Sequence, residues 1–507
     1  MERTVGALLA LTLTLAACTH PPAPGGMSVP EPVPQPRTTA PPSPTSVVRD
    51  GRPRLDLLVD ARPIRAGRCA PAGVSIPEGR TRVRLEWRLG GAHWSPWPAG
   101  PERPTRRGVT TLRLCPGWTA GPLEIRAIGD DARPSAASRV HTSGAPWMGD
   151  LERLIGDRPM SVSVMVDGAF VYGHLPGVRR AAGSNEKLLL SMALLDRFGP
   201  GARIRTEAAT RNRMHDGVVD GDLYLVGNGD PEVGADEIHR LAMRLRAAGI
   251  RRIDGSVVAD TSTFARDRRA PGWHAIALRY IGLPTALSYQ ANVDANGYVF
   301  DPERRAAAAL VTELRSLGVR IEAAPDDGGA PDDIRTIAVV RSNPLSEILR
   351  QQNVLSINLD AETLSKMLAT EVLGRPGSIA TGARLIERWA NDLEAGVTLH
   401  DASGLSYRNR VSTAALAALL DDATARSWGD ELMASLPAPG EGTLAGRLGG
   451  LEVRAKTGTL IHDVSALSGY VRLRDGRWAS FSIISALPKG EAVALEDAIV
   501  RTVAAQT

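Results

Sequence analysis

Three observations in this 507-residue chain predict an α+β protein: one antiparallel sheet with helices packed on it, preceded by a small all-β sandwich. Strand-like segments near 160–173 and 451–485 bracket a helix-rich middle. A separate stretch, 49–142, alternates apolar and polar residues between Gly/Pro/Asp turns. Between them, Leu188 to Leu195 is apolar almost all round a helix, which requires burial on every side.

The chain begins with "MERTVGALLALTLTLAACTH", a short apolar run ending in small residues and too short to span a bilayer as an anchor. Residues 1–18 read as a secretory signal, and "LAAC" resembles a bacterial lipobox in which Cys18 is lipidated. The expected location is therefore extracytoplasmic, lipid-anchored to the cell envelope. With Cys18 assigned to lipid, Cys69 and Cys115 are left to pair as a disulfide in an oxidising compartment. Residues 19–48 are rich in proline and have little to bury. They read as a disordered tether reaching up to about 90 Å at roughly 3.1 Å per residue. The net charge of +4 arises from nearly balanced signs, without a dense basic run interleaved with aromatics, so nucleic acid is not an expected partner.

In 49–142, "TRVRLEWRLGG" places Val83, Leu85, Trp87 and Leu89 on one face of a strand. "LEWRLGGAHWSPW" followed by "LEIRAIG" resembles fibronectin-III or immunoglobulin-like sandwich modules, and no catalytic constellation is visible there. From 146 onward a helix near "PWMGDLERLIGD" leads into a hairpin turning at Asp167–Gly168. The buried helix follows, and three strands at the far end include a pair turned at Asp475–Gly476.

The first turn of the buried helix carries Ser184 and Lys187 on one face. The chain has only four lysines, so arginine serves wherever a plain positive charge suffices. Lysine alone can lose its proton when buried. Lys366 and Lys489 read as solvated surface, whereas Lys187 heads into a core, where a lowered pKa would let it take a proton from Ser184. Farther on, "VLSINLDAETLSKML" places Ser356 and Asn358 at a helix start, and "RAKTGTL" places Lys456, Thr457, Gly458 and Thr459 on a strand.

S-x-x-K, S-x-N and K-T-G in that order form the signature of penicillin-binding proteins and serine β-lactamases. "GDLYLVGNGDPEV", "ADTSTFARDRRAPGW", "DASGLSYRNRVS" and "LPAPGEGTLAGRL" narrow the match. With them, residues 146–507 resemble the S13 peptidases, D-alanyl-D-alanine carboxypeptidases/endopeptidases of the class C penicillin-binding proteins. The resemblance implies a transpeptidase fold with an inserted subdomain, here reduced to about 206–340. It implies Ser184 as the nucleophile that becomes acylated, Lys187 as its base, Ser356 as proton relay to the leaving D-alanine, and Asn358 as holder of the peptide amide. It gives Lys456 the role of supplying positive charge, Thr457 and Thr459 that of gripping the substrate carboxylate, and the backbone N–H groups of Ser184 and Thr459 that of oxyanion hole. Peptidoglycan stem peptides are the implied substrates and β-lactams the implied covalent inhibitors, with no cofactor. The alternative is a penicillin-binding lipoprotein that mainly binds or scaffolds, with vestigial turnover. The complete catalytic set weighs against it.

Departures from the family concern specificity. "PGWHAIALRY" puts Ala275 and Ala277 where the family often has a tryptophan and then an acid that meets the peptide side chain. Ile357 and Ala402 replace a common aspartate and glycine. Nine histidines lack metal-ligand spacing, so no metal is expected. Asp260, Asp401 and Glu186 read as structural acids.

Overall fold

Strands from opposite ends of the chain can share a sheet only if the middle folds back between them, and that is what the fold does. The computed structural model describes residues 52–506, except for 60–63, 66–69, 77–80, 90–93, 97–102, 106–107, 115–120, 131 and 144. Cys18, Cys69, Cys115, the leader and the tether lie outside the described residues.

Helix α1 (Pro146–Ile155) opens with proline in its first turn, where the missing N–H costs nothing. Strands β1 (Met160–Val166) and β2 (Ala169–His174) form the hairpin expected at Asp167–Gly168. Helix α2 (Glu186–Phe198) follows a single tight turn, Gly183–Asn185, and every residue from Leu188 to Leu195 is buried, as its unbroken apolar surface demands. Helix α3 (Asn358–Leu373) is likewise buried along most of its length. Strands β3 (Val453–Leu460), β4 (Val464–Arg472) and β5 (Trp478–Ser485) and helix α4 (Lys489–Ala504) complete the chain.

The sheet runs β2-β1-β5-β4-β3, antiparallel throughout, with Met160 registered on Ser485 and Lys456 on Ser468. Its two faces feed two cores, because successive side chains alternate across a strand. One core joins Ala466, Tyr470 and Ile484 to α2 and α3, and the other joins Val162, Phe481 and Ile483 to α1 and α4. Between α2 and α3 lies an insertion closed by the pairing of Arg205–Thr210 with Arg335–Arg341. It carries a mixed five-stranded sheet, a smaller four-stranded one, and helices Ala235–Ala247 and Pro302–Ser316 around its own core.

The amino-terminal region is all β. A three-stranded sheet and a six-stranded sheet share Leu55, Val74 and Leu114 with Val83, Leu123 and Ile125. Trp87 meets Phe170 edge-on at 5.7 Å, so this region packs against edge strand β2. No helix among the described residues is long and apolar enough to cross a membrane.

Candidate active site

Ser184 sits in the turn that leads into α2, half-buried, and lines a cleft of about 620 Å³. Several glycines allow that turn to nest against its neighbours. Gly183 has φ +53°, and a Cβ there would stand 2.9 Å from the Thr459 backbone nitrogen. At Gly458 a Cβ would meet the Ala182 carbonyl at 2.2 Å and the Ser184 nitrogen at 3.2 Å. Gly404, at φ +84°, would drive a Cβ to 1.9 Å from the Gly183 carbonyl. Only bare backbone fits, so the Ser184 turn packs directly on the backbone of the strand that carries Thr459. Asn185 anchors the same turn by donating from Nδ2 to Ser468 Oγ on β4 at 2.7 Å.

Lys187 is wholly buried, one helical turn on, and its Nζ lies 3.0 Å from Ser184 Oγ. It donates to Asn358 Oδ1 at 2.7 Å and to the Ser403 carbonyl at 2.6 Å. A neutral amine has two N–H bonds, and these two acceptors use both. Its lone pair is then left for the serine proton. Burial pushes Lys187 down from 10.5 to about 8, against the opposing pull of Asp401, Glu362, Asp360 and Glu186.

The second motif closes the site from the other side. Ser356 ends helix Leu345–Leu355 in the left-handed region at φ 59°, a strained position for serine that turns the chain abruptly into α3. Lys456 Nζ donates to Ser356 Oγ at 2.8 Å and to the Thr457 carbonyl at 2.9 Å. Burial, aided by repulsion from Lys187, holds Lys456 well below its usual pKa. Asn358 is fixed at its other end by donating from Nδ2 to the Tyr280 carbonyl at 3.0 Å. Thr457, Gly458 and Thr459 line the cleft along edge strand β3. All eight residues named by the three motifs therefore converge on one cleft.

Several supporting groups were harder to read from sequence. Glu362 accepts the Ala402 and Ser403 N–H groups at 3.1 and 2.8 Å, and so sets the carbonyl that holds Lys187. Its only signal was position, four residues after Asn358 on the same helical face. Asp401 takes N–H bonds from Trp273, Gly404, Ser406 and Asn409, and Asp260 from Ser262 and Ala330, the structural roles expected of them. Glu186 is fully buried, and burial raises its carboxyl group well above the usual range. The reading of Lys366 as solvated surface is wrong. It is completely buried, donating to the Ala265, Asp267 and Pro284 carbonyls and pairing with Asp267 at 2.8 Å, because three carbonyls converge where α3 meets the insertion. Lys489 is exposed, as read, but it lines the cleft. Among the described residues, no group of three or more His, Cys, Asp or Glu could hold a metal ion.

A five-stranded antiparallel sheet, a buried helix headed by a serine–lysine pair, and a lysine-bearing edge strand define a penicillin-binding fold. The chain aligns with penicillin binding protein 4 of Haemophilus influenzae at TM-score 0.62 and 20% identity, covering 70% of this chain and 99% of that one. The chain belongs to the D-Ala-D-Ala carboxypeptidase 3 (S13) family, whose model matches residues 150–294 and 277–506. Among its relatives is a D-alanyl-D-alanine carboxypeptidase of Actinomadura sp. (strain R39), 29% identical over 503 residues, covering 80% of this chain and 92% of that protein. Another is carboxypeptidase DacB of Mycolicibacterium smegmatis, 29% identical over 394 residues, covering 72% and 82%. By family the protein is a serine-type D-alanyl-D-alanine carboxypeptidase.

Proposed function

We propose that Ser184 carries this activity, cleaving the terminal D-Ala–D-Ala bond of peptidoglycan stem peptides, or the D,D crosslink, through an acyl-enzyme that β-lactams also form. The observation that carries the reading is Lys187, whose two N–H bonds are taken by Asn358 and Ser403 while Ser184 Oγ lies 3.0 Å away. Ser184 Oγ attacks the penultimate D-alanine carbonyl carbon as its proton passes to Lys187 Nζ. The oxyanion forms between the Ser184 and Thr459 N–H groups. The scissile C–N bond breaks as Ser356 gives its proton to the leaving amine and takes one from Lys456, whose Nζ lies 2.8 Å from its Oγ, while Lys187 keeps the proton it took from Ser184. Thr457 and Thr459 hold the terminal carboxylate. Water then attacks the ester, and the proton path reverses.

In the same reading Cys18 carries lipid, the protein works outside the cytoplasm, and the amino-terminal β region follows the tether in sequence. The register that pairs Ala70 with Leu114 supports a disulfide between their chain neighbours, Cys69 and Cys115. The test uses the full chain and Ser184→Ala, each incubated with benzylpenicillin and read by intact mass, then assayed for D-alanine release from a diacyl-D-Ala-D-Ala peptide. Acylation and release by the wild type alone are expected. Acylation of Ser184→Ala at the same rate would overturn the assignment.

A further inference from the structure

The cleft beside Ser184 has no acidic wall. Its lining includes His274, Tyr407, Arg447 and Lys489, and no carboxylate among the described residues. The acids near the catalytic centre, Glu186, Asp360, Glu362 and Asp401, are buried, Glu496 and Asp497 are paired with Arg447 behind the wall, and none of the six lines the cleft. Asp463 is exposed at the hairpin tip and does not line it either.

One part of the rim is built from three separate segments. His274 packs edge-on against His462 at 5.3 Å, and Tyr407 stands 6.0 Å from the same imidazole. The His462 backbone N–H donates to Tyr407 Oη at 2.9 Å, and Trp273 pairs with Ser406 along the backbone. These contacts tie the 273–280 loop, the 404–407 turn and the tip of the β3–β4 hairpin into one ledge. Half-buried Ile276, buried Ala277 and exposed Ile461 supply its apolar surface.

A side chain ending in a free ammonium would lose hydration here and meet no carboxylate along the lining, where Lys489 is an exposed cation and Arg447 is already paired with Glu496 and Asp497. A side chain ending in an amide offers Tyr407 and His274 a neutral hydrogen-bonding group and gives the apolar residues a stem to cover. We propose that this cleft selects stem peptides whose third-residue side chain is capped as an amide, the state it has within a crosslink, over peptides with a free side-chain amine. The proposal rests on the reading of Ser184 as the D,D-peptidase nucleophile.

The test compares Nα,Nε-diacetyl-L-Lys-D-Ala-D-Ala with Nα-acetyl-L-Lys-D-Ala-D-Ala on the full-length enzyme, reading kcat/KM from D-alanine release. The diacetyl peptide is expected to be favoured by about tenfold or more, equivalent to about 1.4 kcal/mol. Ile276→Asp, which places a carboxylate on the half-buried ledge, is expected to narrow that ratio by raising kcat/KM for the free-amine peptide. Equal rates, a faster free-amine peptide, or an unchanged ratio in a variant that still reacts with penicillin would overturn the proposal. So would release from neither peptide by a wild-type enzyme that penicillin acylates. Absence of penicillin acylation would instead bring down the Ser184 assignment.

Discussion

Lys187→Arg separates a proton acceptor from a fixed positive charge, because an arginine side chain keeps its proton at any working pH. The native lysine is pushed from 10.5 to about 8 by burial. At pH 7 that leaves about a tenth of the enzyme with a neutral amine, about 300-fold more than an unperturbed lysine would give. The difference corresponds to about 3 kcal/mol favouring the neutral form. Acylation by a chromogenic penicillin, followed by stopped flow, should therefore rise about tenfold per pH unit on the acid side and level off above about pH 8. Lys187→Arg should lose at least about a hundredfold in acylation rate while keeping a cooperative melt, and raising the pH should not restore it. A wild-type acylation rate independent of pH from 6 to 9, or an arginine variant within tenfold of wild type, would refute the neutral-base argument.

Four further outcomes follow from the geometry. Burial pushes Asp230, Asp360 and Glu362 each up to about 7, so the folded chain holds protons that the unfolded chain releases at lower pH. Their contribution to stability falls as pH rises towards 7, whereas Lys187 adds stability between about 8 and 10.5; thermal melts should give a higher midpoint near pH 5 than near pH 7.5. Gly404→Ala forces a Cβ against the Gly183 carbonyl at a positive φ, and should cost about 1–3 kcal/mol in denaturant melts together with most acylation. Ser356→Ala should leave the melt near wild type and lower kcat for D-alanine release by about a hundredfold, since the proton relay is lost while Lys456 keeps the Thr457 carbonyl. Lys366→Met strands Asp267 and three carbonyls, and should lower stability by about 3–5 kcal/mol in urea titration while the folded fraction still acylates.

Much of this was legible in the linear chain because the chemistry is local to short motifs. Ser184 and Lys187 share a helical face by spacing alone, and the all-round apolar run behind them identified a buried helix. The bracketing strands foretold a sheet made from both ends of the domain, which β1 on β5 bears out. Lys366 was misread because nothing local marks it. Its burial is set by carbonyls about 80 to 100 residues away in sequence. Glu362 was missed for the same reason, as its partners arrive with the 402–403 turn. The ledge of His274, Tyr407 and His462 joins three distant segments, and no spacing rule connects them.

The shared sheet also imposes an order of events on the chain. Ser184 emerges from the ribosome long before β3, β4 and β5, yet Thr459 lies on β3 and the anchor for Asn185 lies on β4. Until those last strands dock on β1, the serine lacks the second N–H that the proposed oxyanion hole takes from Thr459. A growing polypeptide thus holds its proposed nucleophile without the means to use it. Hydrolytic competence comes only with closure by the carboxy-terminal strands, so the topology itself acts as a delay.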